Sequence, residues 1–187
     1  MRLSTPEHPL TDGVVALRPW VEADVPAITS ACRDGDIAWW LDQIPQPYSE
    51  GDARAYVAMT RRGWKEGSLA AFAVTDAATG EVMGSIGVHL LDADNGVAEV
   101  GYWVRSASRG RGVATRATVL AAGWVLGTPG LHRLQLRADD RNTASQRVAE
   151  RAGFHREGIL RSVRFNLRQG RRVDFVMYSL LPDELDS

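Results

Sequence analysis

Arg109-Gly110-Arg111-Gly112-Val113-Ala114 lies between two segments of different periodicity. Val97 to Val104 reads as a buried strand, and Val113, Ala117, Leu120 and Trp124 recur at helical spacing on the other side. The order is therefore strand, glycine-rich turn, helix. Gly110 and Gly112 allow backbone amides to approach a ligand without an intervening Cβ, and the helix start aims N–H groups at an anion. That geometry suits a pyrophosphate. A Walker loop would need Gly-Lys-Ser/Thr, but the chain's one lysine is Lys65; a dinucleotide fingerprint would need glycine where Thr115 stands.

The turn matches Arg-x-x-Gly-x-Ala through Arg109, Gly112 and Ala114, and thirty residues past Gly112 comes Asn142-Thr143-Ala144-Ser145, opening a segment that ends in Gly153-Phe154. On these two signatures the chain resembles the GNAT superfamily of N-acetyltransferases, in its RimJ/RimL-like branch. The resemblance runs from Leu17-Arg18-Pro19-Trp20 to the last strand. It implies one α/β (α+β) domain over 1–187, with a central mixed, mostly antiparallel twisted sheet of about seven strands and about four helices. It also implies a splayed strand pair that holds acyl-CoA.

Composition agrees with a soluble globular chain: 187 residues, 44% hydrophobic and 24% charged. A net charge of −1 argues against a nucleic-acid or anionic-membrane binder. Without an N-terminal apolar run of signal or membrane-spanning length, the expected compartment is the cytoplasm. Cys32 is alone, and His8, His89, His132 and His155 lack ligand spacing, so no disulfide and no metal are expected.

Along the chain, residues 1–12 read as a loose arm or edge and Val14 to Arg18 as a short strand. A helix is expected from Glu22 through Ala31, and a second from Ser49 towards Gly63 with Ala55, Met59 and Arg62 on one side. Leu69–Thr75 and Val82–Leu91 form a hairpin; further strands run over Leu131–Ala138, His155–Leu160 and Val173–Leu181. The acidic end Asp183-Glu184-Leu185-Asp186 reads as solvated.

Acetyl transfer to an amine needs a held donor, a neutral amine and a proton for the departing thiolate. By resemblance, Arg109, Gly110, Arg111, Gly112, Val113, Ala114 and Thr115 cradle the donor's pyrophosphate. The same resemblance sets the pantetheine arm along Tyr102, Trp103 and Val104, although core packing accounts for Trp103 and Val104 equally well. Glu99 alternates with Ala98 and Val100 and so faces the opposite side of the sheet; it reads as a general base acting through water, or as an exposed acid. Asn142 and Ser145 share a helix face. The resemblance gives Asn142 the coenzyme arm, alongside a plain N-cap role, and makes Ser145 the proton donor. The family's common acid is a tyrosine in this helix, yet no tyrosine stands between 103 and 177. Trp39 and Trp40 line the acceptor or pack in the core; Arg164, Asn166 and Arg168 read better as a solvated loop than as a carboxylate site. The expectation is an acetyl-CoA-dependent N-acetyltransferase acting on a protein or peptide α-amine, with a small amine or another acyl donor as the alternative, a non-catalytic acyl-CoA binder as a third, and a homodimer by resemblance alone.

Overall fold

The computed structural model describes residues 1–185, so Asp186 of the acidic end lies outside the described residues. The apolar runs become one sheet ordered β1-β2-β3-β4-β5-β6-β8-β7. Its strands are β1 (Leu10–Thr11), β2 (Val15–Pro19), β3 (Leu69–Asp76), β4 (Val82–Asp92), β5 (Val97–Val104), β6 (Arg133–Asp139), β7 (His155–Asn166) and β8 (Arg171–Leu180). All neighbours are antiparallel except β5 and β6. Those two are joined through α4 (Val113–Leu126), the crossover that a parallel pair requires.

Alternation along the strands sorts side chains to two faces. Phe72, Val74, Ile86, Val88, Ala98, Val100, Leu134 and Leu136 pack against Val113, Ala117 and Ala121 of α4 and Ala149 of α5 (Thr143–Arg151). On the other face, Leu69, Ala71 and Ala73 meet Val25, Ile28 and Cys32 of α1 (Val25–Cys32) and Ala53 and Val57 of α3 (Glu50–Glu66). Burying each large aliphatic side chain contributes about 1.5–3 kcal/mol.

Four local expectations change. Gly35–Trp40 forms a short helix, α2, capped by the Asp34 side chain, which raises the helices to five. Helix α3 buries Ala53, Val57, Thr60 and Gly63, while Ala55, Met59 and Arg62 face solvent. The small residues win because α3 sits close on β3: a Cβ at Gly63 would lie 2.6 Å from that of Leu69. The N-terminal arm is anchored, with Leu3 buried in the core and Leu10–Thr11 pairing with β2 as an eighth strand. β7 runs six residues beyond Leu160, past a register irregularity between Leu160 and Arg164.

Candidate active site

The site begins where the sheet opens. Parallel pairing of β5 with β6 comprises Val97–Arg133, Ala98–Leu134 and Glu99–Gln135 and stops there. β5 continues to Val104 on β4 alone, so its β6-facing flank is freed from Val100 onward. The splay expected from the resemblance is this opening.

Beyond it, Gly110 and Gly112 take φ of +73° and +75°, left-handed values that side chains rarely tolerate. A Cβ at either would meet nothing within 4 Å, so the turn presents bare backbone to open space. Gly112 is the N-cap of α4 and provides no side-chain cap, and the first turn holds no acidic residue. The first-turn amides of α4 therefore have no side-chain cap, and they lie at the positive end of a 14-residue helix dipole, a fit for a pyrophosphate. Arg109 is engaged otherwise. Its guanidinium bonds Asp34 at 2.7 Å and Asp36 at 2.8 Å, and its Nε donates to the Val104 carbonyl. Arg111 is exposed beside the turn.

The α5 N-terminus closes the opening from the core side. The Asn142 side chain accepts from the Ser145 amide at 3.0 Å, so the N-cap role is real. Asp139 fixes the approach to the helix, accepting from the Arg141 amide and from Gln169 and Arg171. The Ser145 Oγ lies 2.9 Å from the Tyr102 hydroxyl, reaching across from β5. Burial raises the Tyr102 phenol to about 12, with the Ser145 bond working against the rise. A tyrosine thus does accompany the serine, supplied by a strand instead of the helix.

On the opposite face Glu99 accepts from Arg137 through Nε and Nη2 (2.5 and 2.8 Å) and from Gln135 at 3.0 Å. Its cross-strand partner is His89. The side chains of Trp103 and Val104 belong to packing, Trp103 stacking on Trp20 with centroids 6.2 Å apart. Trp39 is 47% exposed and does not join the core, while Trp40 is half-buried. Both are held to β7: Asn166 donates to the Trp39 carbonyl and Arg164 to the Trp40 carbonyl, while Arg164 also pairs with Asp42 at 2.9 Å. Arg164 and Asn166 are thereby engaged with the 39–42 segment and are not free loop residues.

Sequence reasoning missed Arg137 and Gln135 although the signal was present. Arg133, Gln135 and Arg137 alternate with Leu134, Leu136 and Ala138, which puts them on the Glu99 face of β6. Asp34 and Asp36 carried no such signal.

Residues 15–155 match the family model of the acetyltransferase (GNAT) domain. The chain belongs to the GNAT acetyltransferases. As a GNAT chain it is 30% identical over 139 residues to the N-acetyltransferase p20 of Bacillus licheniformis, covering 74% of this chain and 77% of that one. RimJ of Mycobacterium smegmatis, solved with CoA-disulfide, superposes with a TM-score of 0.83 at 23% identity over 96% of this chain and 88% of its own. RimL, the ribosomal L7/L12 alpha-N-protein acetyltransferase solved with coenzyme A, gives 0.82 at 19% over 93% and 98%. Both share the fold of this chain. Among its described residues no helix is long and apolar enough to cross a membrane.

Proposed function

We propose that this acetyltransferase moves the acetyl group of acetyl-CoA to the α-amine of a protein or peptide. The observation that carries the reading is the opened β5 flank, with an uncapped helix N-terminus at one end and the Ser145–Tyr102 pair at the other. The turn amides from Gly110 to Thr115 hold the pyrophosphate, and Val100 to Val104 offer main-chain partners to the pantetheine arm. Glu99 relays a proton from the attacking ammonium through water. Its Arg137 and Gln135 partners fix the orientation of that carboxylate. A weak base suffices for an α-amine, whose ordinary pKa is about 8, against about 10.4 for lysine. Ser145 donates its proton to the departing thiolate as the C–S bond breaks. The alpha-N-protein activity in the name of RimL is in keeping with this acceptor.

The test is thiol release from acetyl-CoA with free and N-terminally blocked peptides, set against polyamines and aminoglycosides. The enzyme adds little background, because burial pushes the Cys32 thiol up to about 11. Release that requires a free peptide N-terminus supports the reading; release with small amines alone moves the acceptor to that class.

A further inference from the structure

Two strand-interior glycines face each other beside Glu99. Gly87 of β4 and Gly101 of β5 are register partners, and the same-face pairs flanking them are His89–Glu99 and Ser85–Trp103. Neither has a positive φ, so the backbone does not demand glycine at either position. Packing does not demand it either. A Cβ at Gly101 would meet nothing within 4 Å, and one at Gly87 only the Leu69 side chain at 3.7 Å and the Ala70 carbonyl at 3.9 Å. Gly84, three positions from Gly87, is different: there a Cβ would lie 2.4 Å from the Trp103 carbonyl. Glycine inside a strand weakens it by about 0.5–1 kcal/mol and recurs where a ligand or another backbone comes close. Gly101 is also solvent-exposed in mid-strand, two residues past the last β5–β6 pair. The bare patch therefore adjoins the opened flank and the carboxylate at once.

We infer that the Gly87–Gly101 pair is the floor across which the acceptor reaches the thioester, shaped for a primary amine on a slim, extended peptide N-terminus. The peptide lies flat on bare backbone, its ammonium towards Glu99 and the Trp103–Trp20 stack as the far wall. This rests on the α-amine reading above and adds the residues that select for it.

The experiment uses the full chain carrying Gly101→Ala or Gly101→Val, with Gly123→Ala on the exposed side of α4 as a control. Acetyl-CoA affinity is read by calorimetry and acceptor kcat/KM by thiol release. Both Gly101 variants fold, bind acetyl-CoA within twofold of wild type, and lose acceptor kcat/KM by about tenfold for alanine and more for valine, the scale of one methyl group in a fitted site. Gly123→Ala changes neither. A Gly101→Val enzyme that keeps acceptor kcat/KM within twofold overturns the floor, as does an equal loss of acetyl-CoA binding. Wild-type activity confined to small amines, still lost in Gly101→Val, retains the floor and overturns the peptide class. A wild type silent with every amine overturns both.

Discussion

Ser145 has one proton to give, and a hydroxyl 2.9 Å away decides where it points. With Tyr102 as donor, a Ser145 lone pair is occupied and its own proton is left for the sulfur. Tyr102→Phe is expected to lower kcat about tenfold with acetyl-CoA KM little changed, and Ser145→Ala to lower it about a hundredfold. In the proposed mechanism the tyrosine acts through the serine, so adding Tyr102→Phe to Ser145→Ala is expected to cost nothing further in a double-mutant cycle; additive losses would give the tyrosine a separate role. Glu99→Gln is expected to slow peptide acetylation by ten- to about a hundredfold near pH 7. The deficit shrinks towards pH 9, where the α-amine sheds its own proton. A pH-independent deficit in a pH–rate profile would assign Glu99 to positioning.

At the scale of elements, the coupling that matters runs through Arg109. Asp34 caps α2 with one carboxylate oxygen and holds Arg109 with the other, so the glycine turn proposed to hold the pyrophosphate is tied to the helix carrying Trp39 and Trp40. The Asp36 carboxylate is largely solvated and the Asp34 pair only partly buried, and ion pairs near the surface contribute about 1 kcal/mol or less. Asp34→Asn with Asp36→Asn is accordingly expected to leave the melting temperature nearly unchanged. Acetyl-CoA binding by calorimetry becomes severalfold tighter, since two negative charges leave the neighbourhood of an anion site. Weaker binding would make the clasp itself part of the cradle.

The strand–turn–helix at 97–126 was legible because its period changes abruptly at two glycines, and Asn142 because a cap has a residue preference. Helix α2 was not, since six residues give too few turns for a period to show. β7 alternates poorly because nearly all of its residues are exposed. The Tyr102–Ser145 pair was not legible, since nothing local in the sequence says which residue 43 positions later a strand tyrosine will meet.

Over the whole molecule, one source of acid lability is traceable. Glu157 is drawn down to about 2, chiefly by its two 2.6 Å bonds from Arg133, aided by Ser179. A carboxylate with a depressed folded pKa contributes stability above its ordinary value of 4.5 that is lost as pH falls towards 2. Glu157→Gln should therefore melt below wild type at pH 6, with the two curves converging near pH 2; parallel curves in thermal melts would mean that the pair contributes nothing through ionisation.

The three-pair joint between β5 and β6 has a practical side as well. An unpaired strand flank within a sheet is a template for other chains, and neighbouring molecules in a concentrated stock are the nearest supply. Cosubstrate lying along that flank would shield it. Coenzyme A at a hundred times its Kd should then stabilise the native state by about 2.7 kcal/mol and delay the rise of light scattering on heating, so the donor doubles as the enzyme's own preservative against clumping.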